Sequence, residues 1–167
     1  MGLHRIERPS AYVRLLQQKP EELDLLFKEL LIGVTSFFRD PTTWEELRSK
    51  VMPALMKSRQ VGRTLRFWVP GCSTGQEAYS LAIVFQEVLE KIRPARRHSL
   101  QIFATDLDKD AIERARTGLY PAGIADEMSE ERLRRFFVEA EQGYRVAKSI
   151  RDNVIFAPQN VIMDPPF

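Results

Sequence analysis

Apolar positions along this chain alternate between helical and strand spacing, and each change of period marks an element boundary. After Pro20, the residues Leu23, Leu26, Phe27, Leu30 and Leu31 follow the i, i+3, i+4, i+7, i+8 rule, which predicts a helix with one buried stripe. Pro20 suits the first helical position. A polar-aromatic loop follows, Gly33-Val34-Thr35-Ser36-Phe37-Phe38-Arg39. Asp40 is then placed to cap a helix with Pro41 inside it, carrying Trp44, Leu47 and Val51 on one face. The chain to about Met56 thus reads as wholly helical. Gln60-Val61-Gly62-Arg63 is a turn, and Leu65 to Val69 has the period of two that a strand requires. Helical spacing returns with Ala78, Leu81, Ala82, Phe85, Val88, Leu89 and Ile92.

A second strand, Leu100 to Ala104, ends in Thr105-Asp106-Leu107-Asp108. A short helix runs to about Arg116 and stops at Gly118. Ser129 caps an acidic-first helix holding Leu133, Phe136 and Phe137. Tyr144 to Val146 and Val154 to Ala157 are short strands. Helices first, then strand–helix–strand–helix, describe an α/β chain. The expected layout is a helical N-terminal cap over 1–56, then a nucleotide-binding type of domain over 57–167. That domain is the first half of a Rossmann-like, doubly wound sheet with a small antiparallel β insertion around 138–157. The first strand is expected at an unpaired edge.

The junction after the first strand carries the chemistry. Gly71-Cys72-Ser73-Thr74-Gly75-Gln76-Glu77 is a tight turn of small residues leading into an acidic first helical turn. At the carboxyl end of such a strand, this is the layout of a nucleotide-type cofactor site. Gly71 and Gly75 admit φ angles that a side chain forbids and let backbone and ligand approach closely. The turn departs from the dinucleotide pattern G-x-G-x-x-G. Glu77, beside a helix N-terminus, repels a pyrophosphate and suits a cation. S-adenosylmethionine (SAM) carries a sulfonium and an ammonium and no phosphate, so the turn favours a methyltransferase over a dehydrogenase. Asp106 ends the second strand, where these sheets place an acid on the ribose hydroxyls. A helix cap is the other reading of Asp106, with Asp108 competing for it.

Composition narrows the classes further. A chain of 167 residues with 44% hydrophobic content is long enough to bury one core. A net charge of +2 is too slight to argue for nucleic acid as an obligatory partner. No apolar run approaches the ~20 residues of a membrane span, and no secretory signal is expected. Cys72 is the single cysteine, which excludes an internal disulfide and fits a reducing, cytoplasmic setting. With no paired His, it is expected to pack in the turn rather than act as a nucleophile. His4 and His98 lack metal-ligand spacing and are expected to be solvated, so no metal is expected. Arg93, Arg96 and Arg97 read as a solvated loop. Phe37 and Phe38 are placed to staple the helical cap onto the sheet, whereas Arg39 beside them suits a two-pronged grip on a carboxylate. Asp164-Pro165-Pro166-Phe167 is similar to the Asp-Pro-Pro-aromatic motif of methyltransferases that modify amino groups of DNA bases. A bare loop is the alternative.

Taken in order, these segments resemble the bacterial chemotaxis receptor methyltransferases, the CheR family. The matching pieces are Val34 to Asp40, Gly71 to Glu77, Ala104 to Asp108, and Phe156 to Val161 with Asp164 to Phe167. Four motifs in the right order cover nearly the whole chain, where any one would be weak. Leu31 to Thr35 and Ile150-Arg151-Asp152 look most like members fused to a methylesterase and sensor domains. The resemblance implies SAM-dependent methylation of glutamate side chains on the cytoplasmic domain of methyl-accepting chemotaxis receptors. The products are glutamyl methyl esters and S-adenosylhomocysteine. It implies a cofactor site made by the turn at Gly71 with Thr35, Arg39, Glu77, Asp106, Asn160 and Val161. Glu77 then meets the methionine end, Asp106 the ribose, and Asn160 with Val161 the adenine. Arg39 takes the catalytic position, nearest the methyl, and orients the incoming carboxylate. In the family, the stretch like Tyr144 to Phe156 forms an antiparallel subdomain that some members use to dock a receptor tail.

Three departures from the family pattern temper what is expected. Many members carry Asn where this chain has Gly33, which removes one side-chain contact to the cofactor. The family also continues past Asp-Pro-Pro-Phe with a Cys-Arg-Asn strand and a tyrosine near the reacting methyl. It begins with basic helices that would precede Met1. The chain is therefore expected to be a piece cut from both ends and weak or inactive alone. A non-catalytic module that senses SAM or binds a receptor is the alternative, and a DNA amino-methyltransferase is a remote one.

Overall fold

The computed structural model describes residues 8–31, 33–58, 64–92 and 98–165. The expected turn at Gln60 to Arg63, the arginines Arg93, Arg96 and Arg97, His4, the side chain of Phe27, and Pro166 with Phe167 lie outside the described residues. The chain divides into two compact units, Met1–Gly33 and Val34–Phe167.

In the first unit, α1 (Pro9–Gln18) and α2 (Pro20–Leu30) each begin on a proline, whose missing N–H has no helical partner to lose there. The two helices pack on each other, and the Tyr12 hydroxyl donates to the Glu22 carboxylate at 3.1 Å. The expected stripe is only partly sheltered, since Leu23 and Leu30 stay more than half exposed. A pair of helices has no further layer of its own on which such a stripe can close.

The second unit opens with the polar-aromatic loop and a helical run of three parts. These are α3 (Pro41–Glu46), a π-helical turn (Leu47–Val51) and α4 (Met52–Ser58). The wider π turn rotates every later side chain relative to α-helical phase. Trp44 and Leu47 are half-buried as expected, but Val51 turns outward, and Met52 and Met56 take the core positions instead. Asp40 precedes the helix as expected without capping it. Its φ is 57°, far from the extended backbone from which a cap side chain reaches the first amides, and only its carbonyl engages, accepting from Thr43 N–H at 2.9 Å.

The chain continues through β1 (Thr64–Pro70), α5 (Gln76–Ile92), β2 (Ser99–Asp106) and α6 (Lys109–Thr117). It then forms β3 (Leu119–Tyr120), a 3-10 helix (Ala122–Glu127) and α7 (Glu130–Phe136). The last elements are β4 (Phe137–Ala140), β5 (Gly143–Val146), α8 (Lys148–Arg151) and β6 (Val154–Pro158). β1, β2 and β6 pair in parallel in the order β1-β2-β6, and β3, β5 and β4 form a small antiparallel sheet in the order β3-β5-β4. This is the Rossmann-like methyltransferase type of sheet, with β1 at an edge among the described residues. The expected cap at Ser129 holds, its hydroxyl accepting from Arg132 N–H, and of the two candidates Asp106 and Asp108 it is the Asp108 carboxylate that caps α6, accepting from Asp110 and Ala111 N–H. Gly118 closes α6 in the left-handed region, φ 59°.

The core lies between one face of the parallel sheet and helices α5 and α6. Leu65, Val69, Leu100, Ile102, Ala104 and Phe156 point into it. Ten residues of α5 are buried, including Tyr79, Ser80, Ile83 and Val84 outside the expected stripe. A helix this enclosed is apolar nearly all round in its first half. His98 is buried too, contrary to expectation, because it sits just before β2 at the amino ends of the strands, where the chain enters the sheet.

Candidate functional site

The parallel sheet brings three segments together at its carboxyl ends. β1 ends at Pro70 and the chain turns at once, with φ of 67° at Gly71, 48° at Ser73 and 93° at Gly75. Cys72 N–H donates to the Thr105 carbonyl at the end of β2 at 3.0 Å, and Gly75 N–H to the Cys72 carbonyl at 2.9 Å. The two glycines serve different ends. A Cβ at Gly71 would meet nothing within 4 Å, so the space beside it is open. A Cβ at Gly75 would lie 2.9 Å from the Phe156 ring and 3.0 Å from the Ala115 Cβ, so Gly75 lets α5 pack against β6 and α6.

Asp106 is half-buried at the centre. One carboxylate oxygen accepts Ser73 N–H at 2.7 Å and the other Asp108 N–H at 2.9 Å. Its carbonyl accepts Gln159 N–H at 2.9 Å. Asp106 therefore joins the turn after β1 to the loop after β6, while Asp108 takes the helix cap. A carboxylate offers about four lone-pair directions, so two backbone donors leave acceptor capacity on both oxygens. Glu77, in the first turn of α5, is exposed and makes no hydrogen bond or ion pair with a described residue.

The loop before α3 is held by its aromatic residues. Phe37 and Phe38 are buried, and their rings meet Tyr120 and Phe137 in one case and Trp44 in the other, rather than the parallel sheet. Phe37 N–H donates to the Glu127 carboxylate at 2.6 Å, and Phe38 N–H to the Ser80 hydroxyl at 3.1 Å. Ser80 lies one turn beyond Glu77 on α5, so this contact ties the loop to the helix that leaves the glycine turn. The cation over the Phe38 ring is Arg132, 4.0 Å from the centroid and paired through Nε and one terminal nitrogen with the two carboxylate oxygens of Glu87. Arg39 itself is exposed, and one of its terminal nitrogens donates to the Val34 carbonyl at 3.2 Å. Thr35 is half-buried beside it in sequence.

After β6, Asn160 organises a turn: its side-chain oxygen accepts from Ile162 and Met163 N–H, and its own N–H donates to Asp164. The Gln159 side-chain nitrogen donates to the Pro165 carbonyl at 3.0 Å. The first half of the Asp-Pro-Pro motif thus closes this turn. Val161 is exposed at its tip.

Among the described residues, the non-glycine positions at positive φ are Phe38, Asp40 and Ser73. All three fall in the loop and the turn. Each costs about 1–3 kcal/mol, and such strain concentrates where a ligand site dictates backbone shape. Cys72 is buried in the turn, and desolvation, aided by the Asp106 carboxylate, pushes its thiol up to about 12. It stays a neutral thiol, not a nucleophile. Sequence patterns missed Ser80, Glu127 and Tyr120, which hold the loop and turn. Only Ser80 left a signal, as a hydroxyl among the apolar residues of α5.

The donor set fits SAM. The open side of Gly71 admits a ligand backbone, the carboxylate of Asp106 stands at the end of β2 and that of Glu77 in the first turn of α5, and Gln159 holds a buried side-chain oxygen with no partner among the described residues. Acceptors of this kind suit an ammonium, a sulfonium and ribose hydroxyls, whereas a pyrophosphate would need donors.

Residues 33–167 match the family described as CheR methyltransferase, SAM binding domain. A chemotaxis protein methyltransferase of Listeria monocytogenes is 32% identical over 142 residues, 85% of this chain and 51% of that protein. Chemotaxis protein methyltransferase 1 of Pseudomonas aeruginosa is 31% identical over 151 residues, 89% of this chain and 55% of that protein. An uncharacterized 104.1 kDa protein of Rhodobacter capsulatus is 41% identical over all 167 residues, which make up 17% of it. The chain spans about half the length of the two chemotaxis relatives. With this match over most of its length, the chain belongs to the CheR methyltransferase family, its residues 33–167 matching the family's SAM-binding domain.

Proposed function

We propose that the protein containing this chain transfers a methyl group from SAM to glutamate side chains of chemotaxis receptors, giving glutamyl methyl esters and S-adenosylhomocysteine. The observation that carries the reading is the pairing of a family match over residues 33–167 with an open glycine turn flanked by Asp106 and Glu77. The relatives named for chemotaxis methylation support the receptor as acceptor. No helix among the described residues is long and apolar enough to cross a membrane. A cytoplasmic location, where receptor signalling domains lie, follows from the substrate. Fusion to methylesterase and sensor domains belongs to the same proposal, on the likeness of Leu31 to Thr35 and Ile150 to Asp152.

SAM, when bound, supplies a methyl on a positively charged sulfur. Glu77 pairs with the ammonium at the methionine end, and Asp106 accepts the ribose hydroxyls with the lone pairs its backbone donors leave free. Gly71 lets the ligand lie against the turn. Asn160 and Val161 flank the adenine, and Thr35 borders the methionine end. Arg39, freed from its weak backbone contact, turns its guanidinium fork to the acceptor carboxylate and aligns it with the methyl. A glutamate is already ionised at neutral pH, so no general base is needed. Alignment of two bound reactants is worth about 7–11 kcal/mol, and the loop that carries Arg39 is built to hold one geometry.

The test uses the full-length protein. Calorimetric titration with SAM and S-adenosylhomocysteine is expected to show one site. Radiolabelled methyl is expected on receptor membranes and is expected to be released by mild base, as an ester is. Binding without transfer selects a non-catalytic module instead, and label on duplex DNA that survives base selects an amino-methyltransferase.

A further inference from the structure

Tyr120 touches both halves of the site and lines neither. It ends the two-residue β3, reached directly from the left-handed Gly118 that closes α6. On its other side β5 runs so close that a Cβ at Gly143, where φ is 132°, would lie 2.1 Å from the Tyr120 carbonyl. Tyr120 pairs across the sheet with Tyr144. Its backbone is thus fixed from two directions.

The side chain is as constrained. It is 5% exposed. The ring meets Phe37 edge-on at 4.9 Å and Tyr79 at 6.3 Å, with interplanar angles of 81° and 88°. Its hydroxyl donates to the Thr74 carbonyl, in the middle of the glycine turn, at 2.6 Å. One rigid side chain therefore bears on the Thr35–Arg39 loop with its ring and on the glycine turn with its tip. Phe37 cannot easily yield, because its amide is bound by Glu127 and its ring also meets Phe137 edge-on.

We propose that Tyr120 is a positioning residue that sets the spacing between the glycine turn and the Thr35–Arg39 loop, so that seating the methyl donor and ordering the acceptor loop are one coupled event. The inference rests on the proposed function and names what holds its two half-sites in register. Shifting the turn away would leave a buried hydroxyl without an acceptor, and that penalty resists the shift. Burial raises the hydroxyl's pKa far above its usual value, so it remains a donor at any working pH. In a reaction that depends on alignment, a misplacement of about 1 Å is enough to cost on the order of a hundredfold in rate.

The experiment compares the full-length protein with Tyr120→Phe, Phe37→Leu and the double variant. Calorimetry with S-adenosylhomocysteine gives affinity and stoichiometry, and kcat and KM for the receptor are measured beside them. Tyr120→Phe keeps the ring and loses one hydrogen bond, so it is expected to weaken binding about fivefold at full stoichiometry. It is also expected to lower kcat more than it changes the receptor KM. Phe37→Leu, acting from the other end of the same link, is expected to weaken the same ligand. The double variant is expected to be no weaker than the worse single one, since both cut the same link. Should Phe37→Leu lose its cooperative melt, Phe37→Met takes its place.

A merely structural residue would reduce the folded fraction, seen as lower stoichiometry, and leave the affinity of the folded protein unchanged. That result, or single effects that simply multiply in the double variant, overturns the inference alone. If the unaltered protein binds neither SAM nor its demethylated product, the reading of the site fails and the inference falls with it.

Discussion

The amide of Ser73 donates to the Asp106 carboxylate at 2.7 Å, which fastens the turn after β1 to the end of β2 across 33 residues of sequence. Ser73 holds a φ of 48°, and the charged acceptor helps keep it there. The same carboxylate also accepts Asp108 N–H. Asp106 is thus a structural acceptor as well as the proposed ribose ligand. Asp106→Ala is expected to lose both roles, lowering unfolding free energy by about 2 kcal/mol, as charged hydrogen bonds of this kind contribute. Thermal melts without ligand, set beside titrations with SAM, separate the two losses. Weakened binding with an unchanged melting temperature would show that the Ser73 contact contributes nothing to stability.

Glu77 offers the contrast. It is exposed and has no partner among the described residues, so its removal disturbs no internal contact. Glu77→Gln keeps the size and discards the charge. The expected result is an affinity for SAM lower by about tenfold, in line with one charge-assisted contact, and a melting temperature almost unmoved. Equal binding by the variant would remove Glu77 from the site.

These two acids show how far the sequence could be read. The strand, the small-residue turn and the acidic helix start were legible because period and residue type agree there, and so were the cap at Ser129 and the stop at Gly118, whereas the choice between Asp106 and Asp108 as a cap stayed open. The burial of Phe37 and Phe38 also followed from their type, but not their partners. Val51 was misplaced because nothing in Leu47 to Val51 announces a π turn, and one extra residue per turn moves a whole face. β3 and β4 are too short to show alternation. Their pairing is set by Gly143, whose close approach to Tyr120 is a long-range fact. Ser80, Glu127 and Tyr120 escaped for the same reason: each acts on a residue more than forty positions away.

The two glycines of the turn are expected to separate stability from binding. Gly75→Ala forces a methyl against the Phe156 ring at 2.9 Å and strains a φ of 93°, so it is expected to destabilise the fold by about 2–3 kcal/mol. Gly71→Ala meets no atom and carries only the left-handed penalty of about 1 kcal/mol. Its methyl projects into the open space, and its main effect is expected to be weaker SAM binding. Denaturant melts and titrations on both variants check the order, and the idea sinks if Gly71→Ala is the less stable of the two.

Alkaline pH is expected to unfold the protein through groups that the fold keeps neutral. Burial, then the nearby Asp106 charge, holds the Cys72 thiol up to about 12 from an ordinary 9.0. Burial also raises the hydroxyls of Tyr79 and Tyr120 well above their usual range. A group that keeps its proton longer when folded binds more protons in the native state, so stability falls as pH rises. The thiol's share is fully present below pH 9.0 and is lost progressively as pH climbs towards about 12. Melting temperatures taken from neutral pH upward are therefore expected to hold level and then decline above pH 9.0. Cys72→Ser, which has no thiol to ionise, is expected to decline less steeply at the start of that range. Identical slopes for the two proteins, or rapid alkylation of Cys72 in the native state near neutral pH, would show that the thiol is neither buried nor held neutral by the turn.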